Sequence, residues 1–231
     1  MIEIEHAIIG HSRPLIEIED LILKSGKVYA VIGRNGVGKS TFLNSILGYV
    51  PLMSGKILLN GKNIHTLKRN ELSNNVAFVA SKFEGVEYLR VREYVSLGKF
   101  ANSSFFGKLN PEDTNHVDLL MEELSILHLA DKFTDKISDG ERQLAAVARA
   151  LAQDTPVLLL DEPTAFLDYS NKKKMIEKLV RIATEKNKCI LLSTHELDLA
   201  MDNSLPFLAA HRGILEVLPS LRKENISDYF Q

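Results

Sequence analysis

The stretch from Val28 to Thr41, VYAVIGRNGVGKST, limits what this chain can fold into more than any other. Val28 to Ile32 is rich in β-branched and aromatic side chains and reads as a short buried strand, followed directly by Gly33, four residues, Gly38, Lys39 and Ser40. That spacing is a phosphate-binding loop. Glycines at 33, 36 and 38 let the backbone curl into a concave nest with its N–H groups turned inward, where a Cβ would block an anion. Phe42, Leu43, Ile46 and Leu47 then recur at helical spacing, so the loop opens a helix whose N-terminal partial positive charge adds to the anion site. Lys39 is placed to reach β- and γ-phosphates, and the Ser40 hydroxyl to hold Mg2+. A glycine-rich turn that matches by chance is the competing reading; the strand before it and the helix after it argue against that.

The rest of the chain is ordinary enough to carry such a core. It has 231 residues, 45% of them hydrophobic and 25% charged, which suits one large domain or two small ones. A net charge of -2, with Lys and Arg spread throughout, gives no global basic field, so no nucleic-acid partner is expected. Lys172 to Lys174 is most simply solvated helix surface. The single cysteine, Cys189, sits in an apolar stretch and has no internal partner, which fits a reducing compartment and a buried packing role. No apolar run approaches the roughly 18 to 20 residues of a membrane span, and MIEIEH is too acidic for a signal peptide, so a soluble, cytosolic protein is expected.

Along the chain, Ile2/Ile4 and Leu15/Ile16/Ile18 alternate with polar residues on either side of Ser12-Arg13-Pro14, predicting antiparallel strands within residues 1–27. Met53 to Asn60 with Gly61 reads as a strand and turn, and Val76 to Ala80 as a buried strand ending at Ser81. From about Phe83 to Ala152 the β signal fades and helical patterns take over. Asn102-Ser103-Ser104 and Asn110-Pro111 read as loops, and Pro111-Glu112-Asp113 as a helix start with acids in its first turn. Strands return at 157–160 (VLLL) and 189–193 (CILLS), separated by a charged helix from about Tyr169 to Lys186. Near-continuous apolar strands alternating with helices imply a mostly parallel sheet covered on both faces.

Asp161-Glu162 follows VLLL and places two carboxylates at the carboxyl end of a buried strand, where open α/β sheets bind ligands. Asp161 would hold Mg2+ through water, and Glu162 would orient and deprotonate an attacking water. Taken alone the pair also reads as a solvated strand end. Upstream, Ser138-Asp139-Gly140-Glu141 opens a strongly amphipathic helix with Leu144, Val147, Ala148 and Leu151 on one face. Downstream, Ser193-Thr194-His195 puts an imidazole at the same sheet edge.

GRNGVGKST, ISDGERQLAAVARAL, VLLLDEPTAFLD and STH, in this order, resemble the ATP-binding subunit of an ABC transporter over nearly the whole chain. The resemblance implies an α/β fold with a P-loop NTPase, RecA-like core and a mostly parallel sheet. It adds an N-terminal antiparallel β subdomain and a helical insertion, with the core at about 1–81 and 153–231 and the insertion at about 82–152. It assigns Gly33, Arg34, Asn35, Gly36, Val37, Gly38, Lys39, Ser40 and Thr41 to ATP phosphates, Ser40 and Asp161 to Mg2+, Glu162 to the general base and His195 to the γ-phosphate. It also implies a homodimer in which the Ser138, Gly140 and Glu141 helix of one copy closes over ATP on the other, with Asp168 at the contact. His11 is the nearest match to the aromatic that stacks on adenine in the family.

Two positions depart from the family pattern. Ser81 stands where a glutamine normally touches Mg2+ and the attacking water; its hydroxyl can ligate Mg2+ but is shorter. Asp139 stands where the family has glycine, and its carboxylate would compete with the γ-phosphate for backbone N–H groups. Both predict attenuated turnover. VREYVSLGK at 91–99, the later Pro-Glu-Asp helix start and THELDLAM are similar to the ATPases of bacterial importers for iron chelates, haem and cobalamin. That likeness implies integral permease subunits as partners, a substrate-binding protein indirectly, a place on the inner face of the plasma membrane, and an exposed apolar groove near residues 82–106. A non-transport ABC ATPase, as in iron-sulfur assembly, and a weakly hydrolysing nucleotide-gated module are the alternatives.

Overall fold

The computed structural model describes residues 1–10, 12–102 and 109–218. β1 (Ile2–Gly10), β2 (Pro14–Ile18) and β3 (Leu21–Leu23) open the chain, and β4 (Lys27–Ile32) runs through the glycine loop into α1 (Lys39–Ile46). β5 (Leu52–Leu59), the two-residue β6 (Lys62–Asn63), α2 (Arg69–Ser73) and β7 (Val76–Val79) follow. Next come three α-helices, α3 (Val91–Ser96), α4 (Pro111–Glu123) and α5 (Asp139–Ala152). β8 (Val157–Leu160), α6 (Tyr169–Glu185), β9 (Cys189–Ser193), α7 (Leu197–Asp202) and the hairpin β10 (Phe207–His211) with β11 (Ile214–Leu218) complete the described chain.

Among the described residues all strands join one sheet, in the order β6-β5-β1-β2-β11-β10-β4-β9-β8-β7, with β3 also on β1. β1 is antiparallel to β2, β3 and β5, as the alternation at the start of the chain predicts. β10, β4, β9, β8 and β7 run parallel. The hairpin β10–β11 welds these two parts together, because β11 is antiparallel to β10 and bridges to β2 at Ile214 and Glu17. Sequence reading missed that hairpin. Its turn, Arg212-Gly213, has positive φ at both residues, +47° and +80°, as two-residue hairpins require.

The central strands are apolar throughout because both faces are covered. In β8 and β9, Val157, Leu159 and Leu191 share an apolar cluster with Phe42, Leu43 and Ile46 of α1. Their neighbours Leu158, Leu160, Ile190 and Leu192 share the other with Val147 and Leu151 of α5 and Ile176 and Leu179 of α6. Successive strand side chains point to opposite faces, so one short run feeds both layers, at about 2 kcal/mol for each large side chain buried. Cys189 is one of these buried residues, and burial pushes its thiol pKa up to about 12. α4 starts as expected, with Pro111 in the first turn and the Asn110 side chain accepting the Asp113 N–H at 2.7 Å. No helix among the described residues is long and apolar enough to cross a membrane. His11 and the Ser103-Ser104 part of the expected loop lie outside the described residues.

Candidate active site

β4, β9, β8 and β7 are neighbours, all parallel, and four sequence-marked segments leave from their carboxyl ends. The glycine loop follows β4, Thr194-His195 follows β9, Asp161-Glu162 follows β8, and Ser81 lies two residues past the end of β7. All four therefore start from one edge of the sheet.

All three loop glycines have positive φ, and two of them also lack room for a side chain. Gly33 has φ +142°, and a Cβ there would fall 2.3 Å from the Ala210 carbonyl oxygen. Gly38, at φ +113°, would meet Ile16 Cδ1 at 2.7 Å, whereas Gly36, at φ +78°, looks into open space. Gly33 and Gly38 are thus needed because a Cβ would strike the protein itself, and Gly36 for its left-handed backbone, which corrects the expectation that a Cβ at each would block an anion. Lys39 is buried, and its Nζ donates to the carbonyls of Gly33 at 2.8 Å and Arg34 at 3.2 Å. Burial lowers its pKa, while the charges of Glu162 and Asp161 act in the opposite direction. The lysine from the first half of the chain and the acids from the second half therefore share one electrostatic site.

Glu162 has φ +48°, the left-handed region that non-glycine residues adopt at a cost. Its N–H donates to Ser193 Oγ at 2.8 Å, and the same hydroxyl donates to Asp161 Oδ1 at 2.6 Å. His195 Nε2 lies 3.1 Å from Glu162 Oε1, so the imidazole braces the carboxylate. Among the described residues no group of three or more His, Cys, Asp or Glu side chains could hold a metal ion by itself. The donors present, the exposed Ser40 hydroxyl and the Asp161 carboxylate, suit Mg2+, which takes one or two protein oxygens and completes its shell with phosphate and water.

The serine-led helix reaches the same edge through α5. Gln143 Nε2 donates to the Ala80 carbonyl at 3.4 Å and Arg149 Nη2 to the Phe78 carbonyl at 2.8 Å, tying α5 to the end of β7. A Cβ at Gly140 would lie 2.9 Å from the Phe166 carbonyl oxygen, so this glycine lets the helix start pack on the loop after the acids. The cap is Ser138: its hydroxyl accepts the Glu141 N–H at 3.3 Å, and Glu141 Oε2 accepts the Ser138 N–H at 2.8 Å and hydroxyl at 2.9 Å. Those bonds, the backbone one foremost, hold the Glu141 carboxyl below its usual range.

Asp139 is the first residue of α5, directly after the cap. Its carboxylate pairs with Arg142 one turn on, a neighbouring cation that the sequence expectation leaves out. Asp168 caps α6, accepting the Asn171 N–H at 2.9 Å and its side-chain amide at 2.7 Å. Ser193 was the functional candidate sequence reading passed over, although a serine closing an otherwise apolar buried strand was a visible signal.

A family model described as ABC transporter matches residues 18–165. The chain is 34% identical over 201 residues, 87% of its own length and 75% of the relative's, to the iron(3+)-hydroxamate import ATP-binding protein FhuC of Bacillus subtilis. It is 33% identical over 217 residues, 94% and 80% of the two chains, to the petrobactin import ATP-binding protein FpuC of Bacillus anthracis. Among solved structures, cbiO1 from Clostridium perfringens, part of the ABC transporter complex cbiONQ, superimposes with a TM-score of 0.79 at 28% identity, covering 93% of this chain and 86% of that one.

Proposed function

The chain belongs to the ABC transporter family of ATPases, and from that premise we propose that it energises a bacterial-type importer of iron chelates or a related metal complex. The observation that carries the enzymatic part is the meeting of Lys39, Asp161, Glu162 and His195 at the ends of adjacent parallel strands. The glycine cradle and Lys39 hold the triphosphate. Glu162 takes the proton of the attacking water while His195 fixes its carboxylate. Mg2+, held by Ser40 and Asp161 when bound with the nucleotide, supplies neutralisation of the phosphate charge. Ser138 and Gly140 of a second copy complete the site, so ATP favours the closed homodimer by binding it better than the open pair. The cargo class rests on relatives whose names are those of siderophore importers.

Two surface cavities support docking of membrane-subunit helices. One of about 320 Å3 is lined by Leu89, Leu97, Phe100 and Leu109 with Arg92 and Glu93, overlapping the expected 82–106 stretch. A larger one, about 490 Å3, lies between Tyr49 after α1, α2, and Arg149 of α5 with Gln153 just past its end. We expect the tagged chain, extracted with native membranes, to retain a polytopic membrane protein, and Leu97→Glu combined with Tyr49→Glu to release it. Recovery with soluble iron-sulfur assembly proteins instead would contradict the transport reading.

Attenuation is also measurable. Because Arg142 already offsets the Asp139 charge, Asp139→Gly is expected to raise ATP turnover only about 3-fold, the scale of a partly screened surface interaction. Ser81→Gln is expected to raise it by a similar ~3-fold through a longer reach to the water. Steady-state phosphate release decides; no gain in either variant removes both positions as brakes.

A further inference from the structure

We propose that Ser193 is a positioning residue for ATP hydrolysis, acting on both carboxylates through one hydroxyl. The proposal rests on the reading of Asp161 as metal ligand and Glu162 as base. Ser193 is the last residue of β9, paired with Val31 of β4 on one side, and it is fully buried in a position where the strand's other residues are Cys189, Ile190, Leu191 and Leu192. A buried hydroxyl is tolerated only where its bonds are made, and this one makes two of complementary direction.

As acceptor it takes the Glu162 N–H at 2.8 Å. That amide belongs to a residue with φ +48°, so the bond helps hold Glu162 in a backbone state that aims its side chain at His195. As donor it gives its proton to Asp161 Oδ1 at 2.6 Å. One oxygen of Asp161 is thereby committed, which fixes the rotation of the carboxylate and leaves Oδ2 as the oxygen turned to other duties. Accepting from Glu162 obliges the hydroxyl hydrogen to point elsewhere, and Asp161 is where it points. The two acids are therefore set relative to each other by a side chain from the neighbouring strand, the strand that also delivers His195. Ser193 touches neither phosphate nor water in this account; its effect on rate passes through the acids.

The test uses the whole 231-residue chain with four variants. Ser193→Ala is expected to lower kcat about 10-fold or more, the usual loss when a catalytic base is present but misaligned, with KM for ATP and fluorescent-ATP affinity within about 2-fold of the parent. Ser193→Thr and Ser193→Val have nearly the same shape, so comparing them cancels the disturbance of the extra methyl and isolates the hydroxyl. Thr is expected to turn over at least about 5-fold faster than Val at equal folded fraction, as a single buried hydrogen-bond donor predicts. A merely structural serine would lower the melting temperature of Ala and Val while leaving kcat per folded molecule unchanged, and that result, or equal rates for Thr and Val, overturns the proposal. Glu162→Gln is the control for the underlying reading: should it hydrolyse like the parent, the base assignment fails and any loss in the Ser193 variants has another cause.

Discussion

Glu162→Gln is expected to lower ATP turnover by about 100- to 1,000-fold while ATP still binds, the range lost when a general base is removed from a preorganised site. The substitution keeps the shape of the side chain and an oxygen for His195, whose Nε2 lies 3.1 Å from Glu162 Oε1. It also keeps the backbone N–H bonded to Ser193. What it removes is the ability to accept a proton. Removing the negative charge beside the γ-phosphate also favours the nucleotide-bound dimer, so sedimentation with ATP should show dimers that persist rather than dissociate. Parent-like phosphate release from this variant would mean that the water is activated elsewhere.

Lys39→Ala is expected to weaken ATP binding by about 30- to 100-fold, the equivalent of one or two charge-assisted hydrogen bonds to phosphate. Lys39 is the buried cation of the loop, and it holds the Gly33 and Arg34 carbonyls at 2.8 and 3.2 Å. A phosphate can take over those donors when it arrives, so the loop is not left with an unpaired charge beforehand. Fluorescent-nucleotide titration reads the affinity directly. An unchanged affinity would show that the cradle's backbone N–H groups suffice and that Lys39 serves the loop's own stability.

The phosphate loop was legible because its requirements are backbone requirements: positive φ and an absent Cβ at 33 and 38 leave a glycine spacing that little else produces. The acids were legible because a four-residue apolar strand can end at a charge only where its sheet edge meets solvent or ligand. The pairings made by long or bifunctional side chains were not. Neither the Arg142 partner of Asp139 nor the cap that Asp168 makes with Asn171 stands out in the sequence beside the phosphate and dimer roles expected of them. Those are partners three residues away, a distance at which sequence offers many candidates. The β10–β11 hairpin was missed for a different reason: its role is to join two differently directed parts of one sheet, a relation fixed by topology and not by local pattern.

These roles share one geometric claim, that the cradle of Lys39 and the carboxylates of Asp161 and Glu162 close on the same triphosphate. A crystal structure of the Glu162→Gln protein with ATP and Mg2+ addresses it most directly. The expected result is the metal between Ser40 and Asp161, the γ-phosphate beside Lys39 and His195, and Ser138 of a second copy facing it across the nucleotide. A structure in which residues 161 and 162 turn away from the phosphates, or in which nucleotide sits in a lone copy with the second copy's Ser138 far from it, would contradict it.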